Sequence, residues 1–341
     1  PHRRTAPDRR TAPGSATESD FTAAVLRDLS LPESDRPIRL YRDDPPELLA
    51  AAGNLDKARD EFRRGIALCR QVGEDLGLAY TPVLRTTRGF YDANEAWVAS
   101  LVAALGEPAL LDRRPEVSGE SDRAGGRSGR SAGPPASTAS VEVAFALADA
   151  DGGSRSAEIA TVRLDAESAG LLDAESGESD PGKNHRLVSC SPVPSVERAL
   201  AALLAQRSAS DAPFPTWLAP TQIRFVPVGE RHLDYCDELA ADLESARLRA
   251  DVDDRDATVG ERVARAERDG VAYLAVVGDR EVAGGDGDGD ILTVTDRTVP
   301  TEREVSLSEL EATVRDEVGD RPQKPQYLPR RMSEQPDFTD R

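Results

Sequence analysis

Two stretches of this sequence place charged and nucleophilic residue types at spacings that could do chemistry. The first is SCSPVPSVERALAALLAQ (189–206), in which a strand end runs into a predicted helix that carries Glu197 and Arg198 at its start. An acid and a cation at the beginning of a helix suit an ordinary amphipathic helix or part of a nucleotide site. The stretch by itself leaves both interpretations open.

The second stretch is RADVDDRDATVGERVARAERDG (249–270), a short strand followed by a helix that begins after Thr258 and ends at Gly270. It holds three arginines on or beside the strand–helix turn, namely Arg255, Arg262 and Arg265. RNA bases offer stacking faces and hydrogen-bond edges to guanidinium groups, so this stripe favours RNA binding. The alternative is a set of local salt bridges to Asp253, Asp254 or Glu267.

The histidines and cysteines do not predict a metal site. Cys69, Cys190 and Cys236 lie far apart and form no CxxC pair. His232 and Cys236 share a helix face but lack two further ligands, so core packing is the expected role. The acidic runs DADGG (149–153) and GDGDGD (285–290) lack the distal glutamate of a calcium loop. We expect no bound metal.

The charge balance excludes a basic, electrostatically driven nucleic-acid binder. The 341 residues carry 62 acidic and 43 basic side chains, a net charge of −19, and only three of the basic residues are lysines. This composition indicates adaptation to high salt, where ions screen self-repulsion over about 3 Å at roughly 1 M. Disorder is the rival explanation of the acidity, but 38% hydrophobic residues are enough for a core.

No apolar run approaches the length of a membrane span, so we expect a soluble, cytoplasmic chain without a membrane partner. Residues 1–20 are interpreted as a disordered tail or as the start of a fragment, and both remain open. The segment 115–140 is rich in Gly, Ser and Arg and is expected to be a flexible linker.

Apolar periodicity predicts two structural blocks on either side of residue 212. In the first, Phe62, Ile66 and Cys69 mark one helix, Trp97 and Leu101 mark a second, and VEVAF and IATVRLD predict strands. From Pro213 the order is βαβαββα, which favours a largely parallel sheet covered by helices.

Residues 214–282 closely resemble the anticodon-binding domain of archaeal-type threonyl-tRNA synthetases, which are class IIa enzymes. The residues that carry the resemblance are Trp217-Leu218-Ala219-Pro220, Asp254-Arg255, Gly260, Arg262 and Val277-Gly278-Asp279. The stretch SCSPVPSVERAL also resembles motif 3 of the family, where the position of Arg198 holds ATP phosphate. A cation is needed there because adenylate formation builds charge on the leaving pyrophosphate.

The resemblance implies both α/β and α+β architecture. Residues 213–321 are expected to form a class IIa anticodon-binding domain, with a five-stranded mixed sheet flanked by three helices. A reduced, antiparallel class II catalytic core at 21–212 is expected to precede it, and residues 322–341 to form a C-terminal extension. The anticodon stem-loop of tRNA(Thr) becomes the predicted partner, with Arg224, Arg255, Gly260, Arg262 and Arg265 as the binding set.

The departures from the family bear on catalysis, which in the family uses Zn²⁺ and ATP with Mg²⁺. A zinc histidine of the family is Ser189 here, the strand glutamine that faces substrate is Arg163, and an aspartate is Ala144. His185 would need a shift of register to replace the histidine. Only 15 residues separate Tyr41 from Lys57, which we expect to be too short for the motif 2 hairpin.

We therefore predict a threonyl-tRNA synthetase-like protein that recognises tRNA(Thr) without charging it, and we expect no cofactor, although the sequence leaves open whether ATP binding survives. Its partner is the anticodon stem-loop, with the full-length synthetase as a second candidate, and DNA is not expected. Two alternatives remain: an active threonine–tRNA ligase, and an assembly partner with no RNA role. No residue is assigned to catalysis beyond the motif 3 positions Glu197 and Arg198.

Overall fold

The computed structural model describes residues 37–43, 46–115, 139–147, 157–165, 186–193, 195–210, 213–284, 291–297 and 301–336. It divides the chain into two compact units, one of residues 1–72 and 80–199 and the other of residues 73–79 and 200–341. The predicted tail, most of the linker, both acidic runs and His185 lie outside the described residues. No helix among the described residues is long and apolar enough to cross a bilayer.

The first unit is built on a seven-stranded sheet in the order β1-β2-β7-β6-β5-β3-β4. Every neighbouring pair is antiparallel except β3 and β4, which confirms the predicted antiparallel core. Its strands are β1 Ile38–Arg42, β2 Glu47–Ala52, β3 Thr81–Thr87, β4 Leu110–Arg114, β5 Val141–Leu147, β6 Ala157–Asp165 and β7 Arg186–Ser191.

Helices α1 (Leu55–Leu76) and α2 (Arg88–Leu105) join this sheet in one apolar core, as the sequence periodicity predicts. The rings of Phe62 and Trp97 lie 5.8 Å apart between the two helices. Gly65 lets α1 approach the sheet closely, because a Cβ there would lie 2.8 Å from Cγ1 of Val162. Close packing of this kind makes the core sensitive to a single added methyl group.

A short hairpin precedes Lys57, and its first strand includes Tyr41. Strands β1 and β2 pair antiparallel, with Ile38 opposite Ala51 and Arg42 opposite Glu47. Of these two strands only β2 lies wholly within the 15 residues between Tyr41 and Lys57, so the expectation that this segment is too short for the motif 2 hairpin stays a prediction. Both arginines of β1 are engaged within the protein, Arg39 with Glu61 at 2.7 Å and Arg42 with Glu47 at 2.6 Å.

The second unit contains the expected five-stranded mixed sheet, in the order β12-β11-β10-β8-β9. Strand β8 is parallel to β9 and β10, whereas β10–β11 and β11–β12 are antiparallel. In chain order the elements are α3 Val196–Ser210, β8 Ile223–Pro227, α4 Leu233–Ser245, β9 Ala250–Val252, α5 Val259–Asp269, β10 Tyr273–Val277, α6 Asp279–Gly284, β11 Ile291–Asp296, β12 Thr301–Ser306 and α7 Leu307–Val318. Residues 196–199 of α3 belong to the first unit.

The ends of helix α5 are set by two local signals that the sequence carries. Thr258 accepts a hydrogen bond from the backbone N–H of Glu261, whose carboxylate in turn accepts one from the backbone N–H of Thr258. At the other end Gly270 has φ 76°, the left-handed conformation that favours glycine. Arg207 donates to the carbonyl oxygens of Glu267 and Arg268 beside it.

Gly270→Ala should destabilise the protein by about 1–3 kcal/mol, because it combines left-handed strain with overlap between the new Cβ and the Arg207 guanidinium. Chemical denaturation of the full chain measures this. The same change in an Arg207→Ala background should cost less, since only the backbone strain remains. Equal costs in the two backgrounds would show that the overlap with Arg207 contributes nothing.

Candidate nucleic-acid interface

The turn between β9 and α5 is organised around one buried carboxylate, that of Asp253, whose side chain has no exposed surface. Arg255 holds it with two hydrogen bonds, Nε to Oδ1 at 2.8 Å and Nη2 to Oδ2 at 2.5 Å. The main-chain oxygen of Asp253 accepts from Nη1 of Arg262 at 2.7 Å. The backbone N–H of Asp253 donates to the oxygen of Phe225 at 2.9 Å, which ties the turn to β8. One residue therefore fixes two of the predicted arginines.

The five residues predicted to bind RNA lie in three places: at the turn, on the exposed side of α5, and in the sheet. Arg255 is partly exposed, whereas Arg262 is buried and its Nε has no hydrogen-bond partner within the described part of the chain. Gly260 and Arg265 lie on α5, where both are exposed, and a Cβ at Gly260 would meet nothing within 4 Å. The structure brings Arg255 and Arg262 together and leaves Arg265 at the surface of the same helix.

Arg224 lies in the sheet rather than on the turn, and it is only 3% exposed. Its guanidinium bonds both oxygens of Asp251, at 2.8 and 2.9 Å, and Oδ2 of Asp269 at 2.5 Å. Burial by itself lowers the pKa of Arg224, but these carboxylates outweigh it and the pKa is raised above its ordinary value. Arg224 thus connects β9 to the C-terminal end of α5, the two elements between which the turn lies.

The C-terminal extension also contacts this turn. No local sequence signal predicts that contact. The backbone N–H and the hydroxyl of Ser333 donate to the two carboxylate oxygens of Asp254, at 2.8 and 2.6 Å. Arg330 pairs with Glu244 at 2.5 Å, and its main-chain oxygen accepts from Val252. The turn is thus fixed by contacts to residues about eighty positions later in the chain.

The stretch with Glu197 and Arg198 forms the beginning of α3, and both side chains are exposed. The hydroxyl of Ser195 accepts from the backbone N–H of Arg198 at 3.2 Å. The pKa of Glu197 is lowered because its carboxylate accepts from its own backbone N–H and from Ser195. These contacts are those of a helix start, and within the described residues nothing converges on the Arg198 side chain.

One face of the first unit's sheet carries an ion-pair network that includes Arg163. Glu142 is buried and accepts from Arg85 Nη1 and from Arg163 Nε, both at 2.6 Å. Ser189 lies opposite Arg163 in the β6–β7 register. Burial raises the pKa of Glu142, but the two guanidinium groups more than offset this, so its pKa is below the usual 4.5.

The described residues contain no group of three histidines, cysteines or acids that could hold a metal ion. Cys69 and Cys190 lie in the core of the first unit with their sulfur atoms 3.7 Å apart. His232 is buried, with Nδ1 accepting from the Gly229 N–H and Nε2 lying 2.9 Å from Asp279. Cys236 packs in the core of the second unit.

Comparison with known proteins shows the family to which this chain belongs. Residues 222–317 match the family model described as "Anticodon binding domain". A threonine–tRNA ligase of Methanoculleus marisnigri is 35% identical over 302 residues, covering 88% of this chain and 46% of the ligase. One of Methanosphaerula palustris is 33% identical over 304 residues, with the same two coverages. The chain thus spans just under half the length of the curated relatives it matches.

Solved structures show the same fold at low sequence identity. The RNA-binding domain of threonyl-tRNA synthetase from Cryptosporidium parvum aligns with a TM-score of 0.60 at 15% identity, covering 87% of this chain and 74% of that one. A putative threonyl-tRNA synthetase from Aeropyrum pernix aligns with a TM-score of 0.54 at 16% identity, covering 82% and 65%.

Residues 222–317 of the second unit therefore form an anticodon-binding domain of the kind found in aminoacyl-tRNA synthetases. Together with the two ligase relatives, this makes the chain a threonyl-tRNA synthetase-like protein, as its sequence markers predict.

Glu142→Gln should lower the stability of the protein at neutral pH, because it removes the charge that its two guanidinium partners require. The folded-state pKa of Glu142 is below its unfolded value of 4.5, so its contribution is present above pH 4.5 and is lost as the pH falls through the folded value. Denaturation measured from pH 7 downward should show the two proteins converging in acid. A constant difference would contradict this role.

Proposed function

We propose that this protein binds tRNA(Thr) through the anticodon stem-loop and does not charge it. The observation that carries the proposal is the turn at residues 253–262, inside the matched anticodon-binding domain, where one buried carboxylate fixes Arg255 and the main chain beside it fixes Arg262. Arginines that are ordered before binding lose less conformational entropy when they meet RNA. Arg265 adds a further cation on the same helix.

The net charge determines how such binding must work. Ordinary tRNA binding gains affinity from counterion release and weakens steeply as salt rises. A chain with a net charge of −19, which we propose to be adapted to a salt-rich cytoplasm, draws little on that source. Stacking and hydrogen bonds to unstacked anticodon bases then supply the affinity. Arg255, which is partly exposed, is placed to reach base edges, and buried Arg262 holds the main chain of the turn.

The proposal that the chain does not charge tRNA is supported by the residues present at the family's substrate positions. Ser189 is a poor zinc ligand, and Arg163, which replaces the strand glutamine, is bound to Glu142. The arginines of the β1–β2 hairpin are paired with Glu61 and Glu47. An active threonine–tRNA ligase remains the second candidate because of the 35% identity to such an enzyme.

At molar potassium chloride the full chain should bind a threonine anticodon stem-loop in preference to an unrelated one, with a shallow salt dependence. Arg255→Ala should weaken binding by about 1–3 kcal/mol, the cost of a lost base contact, and Arg262→Ala should also weaken it because the turn loses the side chain that holds the Asp253 main chain. Fluorescence titration across salt measures both effects. Arg280→Ala is the matched control, since Arg280 is an exposed arginine of the same unit that pairs with Glu304 away from the turn.

If the chain shows no preference between the two anticodons at any salt, RNA recognition by this domain is refuted. A role as an assembly partner, for example of a full-length synthetase, then becomes the better explanation. An intermediate result, with preference retained in both arginine variants, would assign recognition to other residues.

No threonine-dependent exchange between ATP and pyrophosphate is expected from the purified chain, with or without added zinc. The reason is that the positions which hold substrate and metal in the family carry Ser189 and an internally paired arginine. Isotope exchange is the measurement. A rate on the order of 1 per second or more, typical of enzymes, would support the ligase alternative.

A further inference from the structure

A cavity of about 440 Å³ lies in the second unit, between the WLAP segment at 217–220 and the first residues of the C-terminal extension. Its lining is mainly apolar, contributed by Trp217, several prolines, Tyr327 and Leu328. It contains two cationic side chains, Arg249 and Lys324, and no acidic side chain. A concave, largely apolar site with a few polar groups has the form of a ligand pocket.

Arg249 is the unusual member of this lining, because it is 7% exposed and has no carboxylate partner among the described residues. Its guanidinium instead donates to main-chain oxygens, those of Ala219 and Trp217 at 2.8 Å and that of Lys324 at 3.2 Å. Burial lowers its pKa from the ordinary value, since no acid compensates for lost hydration. The pocket therefore has a positive floor in a protein that is otherwise strongly acidic.

The neighbouring residues supply an acceptor and an exposed ring. The Oε1 atom of Gln326 is buried and has no hydrogen-bond partner in the described structure. Tyr327 is 80% exposed and Leu328 is 46% exposed, although both line the cavity. A buried acceptor without a donor is costly in the absence of a ligand, and an exposed aromatic ring beside cations is a stacking surface.

We propose that this pocket binds one nucleotide of the bound RNA, outside the bases read by the turn at 253–262. The base stacks on Tyr327, its amino group donates to Gln326 Oε1, and the phosphate lies toward Arg249 and Lys324. A nucleotide matches all three groups of the pocket. Its planar base fits the exposed ring, its amino group fits the buried acceptor, and its phosphate fits the two cations. The proposal rests on the proposed RNA function and adds a second contact surface to it.

Tyr327→Ala and Lys324→Ala in the full chain test the pocket, because both side chains lie at the surface and neither is part of the core. Tyr327→Ala should weaken binding of a tRNA(Thr) transcript by roughly 5- to 100-fold, the range for loss of one stacked base. Lys324→Ala should reduce both the affinity and its salt dependence. Tyr41→Ala is the matched control, since Tyr41 is 64% exposed and belongs to the first unit.

The outcomes separate the pocket from the proposed function. Binding that Arg262→Ala weakens and Tyr327→Ala leaves unchanged overturns the pocket alone, and absence of any tRNA binding overturns both. A parallel titration with adenosine monophosphate identifies the source of the nucleotide. If Tyr327→Ala affects adenosine monophosphate but not tRNA, the assignment to RNA is wrong.

Discussion

The candidate interface depends on the requirement that a buried carboxylate be paired. Asp253 has no exposed side-chain surface, and an uncompensated charge in such a place is costly. Arg255 meets the requirement with two hydrogen bonds, from Nε and Nη2, and it is thereby fixed at the edge of the sheet. The same residue fixes Arg262 through its main-chain oxygen. The salt-bridge and RNA-binding interpretations of these arginines are therefore compatible, because the internal pairing is what orders the groups offered to RNA.

The preference for arginine over lysine in this chain has a structural counterpart. Arg224 bridges two acids, Arg249 joins several carbonyl oxygens, and Arg330 links the extension to α4. Each uses the fork of donors that a single ammonium group lacks. Arginine thus serves as an internal connector in the second unit as well as a surface charge. The composition, rich in acids and with arginine in place of lysine, therefore accounts both for the net charge of −19 and for these internal arginine contacts.

The helices and most strands of the second unit follow from local sequence signals, whereas strands β1 to β4 of the first unit and the contacts that build the site do not. The spacing of Phe62, Ile66 and Cys69 predicts α1 because those side chains are buried on one face. Periodicity does not predict strand β12, because TEREVS is largely exposed and has no apolar face to detect. The bonds from Ser333 to Asp254 and from Arg224 to Asp269 join residues 79 and 45 positions apart, which periodicity and capping rules cannot reveal.

The central claim, that Asp253 orders the arginines offered to RNA, is tested most directly by the Asp253→Asn variant. The measurement is its affinity for the threonine anticodon stem-loop, taken well below its melting temperature. Simple electrostatics predicts tighter binding, because the change removes a negative charge close to RNA. Ordering by Asp253 predicts weaker binding, since Arg255 loses the carboxylate that fixes it, while Asp256→Asn on the exposed side of the turn should not weaken it. Unchanged or tighter binding by a folded Asp253→Asn protein would contradict the central claim.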